Sequence, residues 1–164
     1  VKEWFEKRVE WLDSHFESPE KLLAAAKKYF DGDVLSLCEI YFDEVGSVAE
    51  KLHPDIIGHF DLISKFNEDG SLFDEDSPRY INAWKKAVDK LLAADIPFEI
   101  NTGAICRGYR SVPYPSGDQI KYIASKGGRF ILTSACHFAD NLCFEFPKWE
   151  KWAKELGARI TDIF

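Results

Sequence analysis

The sequence predicts an α/β fold, namely a partial (β/α) barrel with parallel strands that follows a helical N-terminal segment. After residue 53, short apolar runs alternate with segments of helical periodicity, which is typical of βα units around a parallel sheet. About four strands can be read from this pattern, whereas a closed barrel needs roughly seven or eight. We therefore expect one domain over residues 1–164, helical over 1–52 and built from βα units over 53–164.

The first third of the chain carries helix signals. The chain opens with an amphipathic stretch whose apolar residues are Trp4, Phe5, Val9, Trp11 and Leu12. Ser18 is expected to be the N-cap of a helix with Pro19 in its first turn, and Asp31-Gly32-Asp33 is expected to end that helix. A further helix is predicted over about 33–52, and no strand is predicted before residue 55.

The remaining chain is predicted to consist of short strands and intervening helices. The strands are expected at 56–57, 97–101, 130–133 and 159–163, and the helices at about 78–94, 116–126 and 147–156. A long loop rich in glycine and proline follows the second strand, and Gly127-Gly128 is a helix stop. Because so few strands leave two open sheet edges, we expect either self-association or a complementing N-terminal segment that covers them.

Composition and charge argue against several classes of function. The formal net charge of −7 disfavours nucleic-acid binding, which needs a basic face. The apolar runs are only a few residues long, so no membrane-spanning segment is expected. The four cysteines form no C-x-x-C pair and no signal peptide is visible, so we expect reduced thiols in a cytoplasmic protein. The chain starts at Val1 and has no methionine, so we expect a processed or truncated product.

Two histidines at predicted strand ends are the first candidate functional residues. His59 follows Ile56-Ile57-Gly58, and His137 follows the apolar run 130–136. A β/α barrel places its chemistry at the carboxyl ends of its strands, so both could be metal ligands there. The alternative for His59 is a structural histidine hydrogen-bonded to Asp61, a carboxylate that could also orient a metal-bound imidazole. The alternative for His137 is the start of a polar loop.

A second group of candidates follows the strand at 97–101. Glu99 and Asn101 share one face of that strand, and two polar groups buried in a parallel sheet need partners or a function. Arg107, next to Gly108, could donate two parallel hydrogen bonds to a phosphate. The alternative for Arg107 is a surface arginine paired with one of the 28 acidic residues.

These segments, taken in order, resemble the histidinol-phosphatases of the polymerase-and-histidinol-phosphatase (PHP) superfamily. The resemblance covers roughly residues 18–157. It is carried by Ile56-Ile57-Gly58-His59-Phe60-Asp61-Leu62-Ile63-Ser64-Lys65-Phe66-Asn67, Glu99-Ile100-Asn101-Thr102-Gly103, Arg107-Gly108, Pro113-Tyr114-Pro115-Ser116 and Thr133-Ser134-Ala135-Cys136-His137, together with residues 139–144.

The resemblance implies a distorted seven-stranded TIM-like barrel with a three-metal site at the carboxyl face of its sheet. The implied reaction is metal-dependent hydrolysis of L-histidinol phosphate to L-histidinol, a step of histidine biosynthesis, and zinc, iron and manganese all suit the ligands. By resemblance, the metal ligands are His59 and His137, the residues that bind the small phosphorylated substrate are Arg107 and Asn101, and the residues that support the ligands are Asp61 and Glu99.

The chain departs from this family at two places. Ala135 occupies the position of a metal-ligand aspartate, and alanine cannot bind a metal. The family's opening His-x-His motif has no counterpart in residues 1–17, where His15 lies in a different context. We therefore expect a truncated chain with impaired or no phosphatase activity and an incomplete metal cluster. The alternatives are a non-catalytic PHP-fold remnant that binds a phosphorylated ligand or a partner, and another PHP phosphoesterase.

Overall fold

A computed structural model describes residues 17–162 and shows a mixed α/β fold with a small parallel sheet. The opening amphipathic stretch and His15 lie outside the described residues. The helices are α1 (Pro19–Phe30), α2 (Val34–Gly46), α3 (Val48–Leu52), α4 (Pro78–Leu92), α5 (Gly103–Cys106), α6 (Gly117–Ser125) and α7 (Phe146–Glu155). The strands are β1 (Phe98–Asn101), β2 (Arg129–Thr133) and β3 (Arg159–Ile160).

The first helix begins and ends where the sequence places its signals. The Ser18 side chain accepts a hydrogen bond from the backbone N–H of Lys21, and Pro19 occupies the first turn. Asp31 ends α1 in the left-handed conformation with φ 52°, and its N–H donates to the carbonyl of Ala26.

The prediction of a single helix over 33–52 is wrong, because the structure has two helices there, α2 and α3, which are divided at Ser47. The Ser47 hydroxyl donates to the carbonyl of Asp43 at 2.6 Å, a side-chain bond to the preceding turn that bends helices. Gly46 lies at the break, where a Cβ would stand 3.0 Å from the Cα of Ala87 in α4. The bend therefore lets the end of α2 approach α4 closely.

The sheet contains three parallel strands in the order β1, β2, β3, and the apolar run before His59 adds one bridge at its edge. Ile57 pairs with Phe98 through two backbone hydrogen bonds, one to Pro97 and one from Glu99. The predicted strand 56–57 is therefore only a single bridge, because the chain turns at His59 with φ 48°. The predicted strand 159–163 is shorter in the structure. No described strand pairs with the outer edge of β3, and self-association through it stays a prediction.

One continuous core joins the helices to the sheet. A chain of packed rings runs from Phe42 in α2 through Phe60 and Phe98 to Phe130 in β2, with centroid separations of 5.4, 5.6 and 6.4 Å. All four side chains are fully buried, and burial of such a side chain contributes about 1.5–3 kcal/mol. Within residues 17–162, no helix combines the length and the apolar character that crossing a bilayer requires.

The loop predicted after β1 contains a short helix that the sequence analysis missed. The Asn101 side chain accepts a hydrogen bond from the N–H of Gly103 at 2.7 Å and so satisfies a free donor at the start of α5. The loop then runs to Ser116, which caps α6 in a capping box with Gln119. We call residues 107–116 the arginine loop, because it carries Arg107 and Arg110.

Candidate functional site

The carboxyl edge of the sheet gathers three segments around one carboxylate, that of Glu99. Glu99 Oε1 accepts hydrogen bonds from the Asn101 amide at 3.0 Å and from the Thr133 hydroxyl at 2.6 Å. Glu99 Oε2 accepts from the backbone N–H of His59 at 2.9 Å. The side chain thus joins the segment after Ile57 to the ends of β1 and β2, and we call this part of the molecule the Glu99 edge.

His59 lies at the Glu99 edge with its imidazole partly exposed. Its Nδ1 stands 3.5 Å from Glu99 Oε2, and its ring centroid is 6.2 Å from that of Tyr114. Among the described residues, Glu99 is the carboxylate within ion-pair distance of the ring. The Asp61 carboxylate instead contacts Ser64 and Ser116, and its role in orienting a metal-bound His59 stays a prediction.

Asp61 belongs to a different cluster beneath the arginine loop. It is fully buried and accepts hydrogen bonds from the N–H of Ser116 at 3.2 Å and, more weakly, from the Ser64 hydroxyl at 3.4 Å. Burial raises the pKa of Asp61 to about 6, and the positive charge of Arg110 opposes that rise. Asp61 therefore anchors the start of α6.

Asn101 is fully buried, and its predicted contact with substrate stays a prediction. Its amide N–H donates to Glu99 and its oxygen accepts from Gly103, so both ends of the side chain serve the fold. The sequence argument that two polar groups on a buried strand need partners is confirmed, since Glu99 and Asn101 are partners of each other.

Arg107 and Ala135 come together where the chain leaves β1 and β2. The Arg107 guanidinium donates from Nη1 to the carbonyl oxygen of Ala135 at 3.0 Å. A Cβ at Gly103 would lie 2.5 Å from the carbonyl oxygen of Ser134, so only glycine allows this close approach. Ala135 has φ 39°, a left-handed conformation that aspartate and asparagine adopt more readily than alanine.

Lys65 is a candidate that the sequence analysis did not single out. It is half-buried, and its ammonium lies 4.4 Å from the ring centroid of Tyr109 and 4.7 Å from that of Phe66. Desolvation and the nearby charge of Arg107 lower the pKa of Lys65. The available signal was a lysine inside the apolar stretch 60–66, but its approach to Arg107 spans 42 residues of sequence and shows only in the fold.

Lys65 and Arg107 together form what we call the cation pair. Among residues 17–162, neither side chain has a carboxylate within ion-pair distance. Two neighbouring positive charges without a counter-charge favour binding of an anion, and a guanidinium with free N–H groups matches the oxygens of a phosphate. The arrangement is thus suited to a phosphate group between the two loops.

His137 is exposed on the loop after β2, beyond Ala135. Within the described part of the chain, no three side chains of histidine, cysteine, aspartate or glutamate stand close enough together to hold a metal ion. The described residues therefore do not fit the metal cluster that the resemblance implies, and the roles of His59 and His137 as ligands stay predictions.

Comparison with known proteins gives one partial similarity. No family model matches the chain. The chain is 29% identical over 105 residues to a probable histidinol-phosphatase of Schizosaccharomyces pombe. The matched region covers 59% of this chain and 32% of that protein, so the chain spans about a third of the length of its relative.

Proposed function

We propose that this chain is the phosphate-binding part of a phosphomonoesterase of the histidinol-phosphatase kind, whose substrate is L-histidinol phosphate. The observation that carries the proposal is the cation pair beside the Glu99 edge. The partial similarity to a probable histidinol-phosphatase supports the same reaction class.

In this proposal, Lys65 supplies a point charge and Arg107 supplies directional hydrogen bonds to the phosphate. The bond from Arg107 to the carbonyl of Ala135 restricts the guanidinium, so less side-chain freedom is lost when an anion binds. Phe66 and Tyr109 shield the Lys65 ammonium from water on one side, which strengthens its attraction for an anion.

Hydrolysis requires more than the described residues provide. A metal cluster of the family's kind needs ligands in addition to His59 and His137, and Ala135 offers none. We therefore propose that the 164-residue polypeptide binds the phosphorylated substrate and does not hydrolyse it at a rate typical of enzymes. Restoring the carboxylate with Ala135→Asp should restore activity only if the missing ligands are supplied as well.

Calorimetry with L-histidinol phosphate and with inorganic phosphate tests the binding step. We expect both to bind the wild-type chain and Lys65→Met or Arg107→Met to weaken each by roughly tenfold or more, as loss of a charge-assisted hydrogen bond predicts. Lys86→Met is the matched control, because Lys86 is an exposed lysine paired with Asp43 on the α2–α4 surface. Equal affinities in all four proteins would remove the cation pair as the binding site.

A phosphatase assay of the purified chain with added zinc, iron or manganese tests the second step. Enzyme-like turnover by the 164-residue polypeptide would refute the proposed impairment.

A second candidate function, favoured by Ala135, is a non-catalytic protein that binds a phosphorylated ligand. Binding of L-histidinol phosphate that is unchanged by a chelator favours this candidate, whereas binding that requires metal favours a remnant of the metal site.

A further inference from the structure

A cluster of buried polar side chains beneath the arginine loop has too few partners. Five buried side-chain atoms in the described part of the chain have no hydrogen-bond partner: Asp61 Oδ1, Tyr80 Oη, Arg110 Nε, Tyr114 Oη and Gln119 Nε2. A buried donor or acceptor without a partner costs about 1–3 kcal/mol of stability. Five such atoms together would therefore destabilise a small fold substantially.

The side chains that carry these atoms are linked to one another. The charge of Asp61 acts on both Tyr80 and Tyr114, and Arg110 acts on Asp61 and lies 4.9 Å from the centroid of the Tyr114 ring. Gln119 joins the same group through Ser116, whose N–H donates to Asp61 and to Gln119 Oε1.

The unpartnered atoms are also complementary to one another. The Asp61 oxygen can only accept when ionised, the nitrogens of Arg110 and Gln119 can only donate, and the two tyrosine hydroxyls can do both. One or two water molecules make two to four hydrogen bonds each and so can satisfy a set of this composition. An anion is disfavoured by the Asp61 carboxylate, and a cation is disfavoured by the Arg110 guanidinium.

Solvent has a route to this cluster. A cleft of about 680 Å³ lies between α4 and α6, and Glu75, Tyr80 and Ser116 belong to its lining. Tyr80, one of the five side chains, and Ser116, which donates to Asp61, thus connect the cleft to the cluster.

We infer that Asp61, Tyr80, Arg110, Tyr114 and Gln119 form a site for ordered water, reached from the cleft between α4 and α6, and that this water ties the arginine loop to the rest of the fold. Direct bonds hold this loop at Ser64, where Arg110 donates to the hydroxyl, and at Glu68, which accepts from Ser111. The water adds to these bonds, and to the direct bonds of the loop at Asp61, Asn101 and Ala135, and so helps to hold Arg107 in place. The inference does not depend on the proposed function.

A crystal structure that resolves ordered water tests the site directly. We expect a water molecule within hydrogen-bond distance of the Tyr80 hydroxyl and of at least one other of the five atoms. A dry cluster, in which the side chains have moved to bond one another directly, overturns the inference.

The sign of one stability change gives an independent test. Tyr80→Phe removes only the hydroxyl. If that hydroxyl is bonded to water, its loss lowers the midpoint of urea unfolding and speeds hydrogen exchange of the Ser116 amide. If the hydroxyl has no partner at all, its removal raises or leaves unchanged the midpoint, which would overturn the inference. Tyr41→Phe is the reference, because the Tyr41 hydroxyl donates directly to backbone carbonyls and its loss must lower the midpoint.

Discussion

Two buried carboxylates in this protein are stabilised in different ways. Glu99 lies at the sheet edge, and three hydrogen-bond donors from three segments share its two oxygens. Asp61 is completely buried, accepts only long hydrogen bonds, and has one oxygen without a partner, with Arg110 as the opposing charge. Glu99 thus stabilises the fold through directional hydrogen bonds, whereas the buried charge of Asp61 is compensated by the nearby positive charge of Arg110. The two sites should respond differently when a partner is removed.

The largest loss of stability is expected from a substitution of Arg110. Arg110→Met removes the positive charge near the buried Asp61 and the donor to the Ser64 hydroxyl, and leaving a buried charged group without compensation costs about 3 kcal/mol. The double variant Asp61→Asn, Arg110→Met should recover much of that loss, since no isolated charge remains buried. Urea unfolding of the two single variants and the double variant measures the coupling. If the losses in the single variants simply add in the double variant, Arg110 does not act through Asp61.

A substitution at Glu99 should lower the free energy of unfolding somewhat less than Arg110→Met does. Glu99→Gln keeps the shape but turns an acceptor into a donor that faces other donors, so we expect a loss of about 2 kcal/mol in the free energy of unfolding. Glu68→Gln is the matched control, because Glu68 accepts two hydrogen bonds from Ser111 in an exposed setting. Its loss should stay below about 1 kcal/mol. Similar losses in both variants would show that Glu99 is no more important than a surface acid.

Local signals in the sequence predicted much of the fold but little of the way polar side chains pair. Ser18, Ser116 and Gly128 act within a few residues of themselves, as caps or stops, and the helices they bound were predicted within about two residues. By contrast, Arg110 contacts a serine 46 positions earlier, and no local pattern reports such a contact. The same reasoning applies to Asp61, which was assigned to His59 because the two are close in sequence, whereas its carboxylate accepts from Ser116, 55 positions later.

Ala135 provides a smaller test at the Glu99 edge. Its left-handed backbone is less strained for aspartate than for alanine, so Ala135→Asp should unfold at the same denaturant concentration or a slightly higher one, with a gain of no more than about 1 kcal/mol. Ala135→Val is the contrasting variant, because a β-branched side chain strains this conformation and should destabilise the fold. A clear loss of stability in Ala135→Asp would mean that the loop after β2 does not accommodate the carboxylate that the family resemblance expects.

The smallest effect is the pH dependence contributed by Lys65. Desolvation and the charge of Arg107 hold the pKa of Lys65 in the folded protein below its ordinary value of 10.5, so the unfolded chain holds this proton more tightly. Stability rises with pH where the unfolded state binds more protons, so the Lys65 contribution to the free energy of unfolding must increase as pH rises toward that value. Because the side chain is half-exposed, the change should be only a few tenths of a kcal/mol. The difference in stability between wild type and Lys65→Met, measured at neutral pH and near pH 10, isolates the contribution of Lys65 to the pH dependence. Saturating phosphate should weaken the dependence if the anion sits between Lys65 and Arg107, because its negative charge offsets the part of the lowering that comes from Arg107. A dependence that persists unchanged in phosphate would place the anion elsewhere.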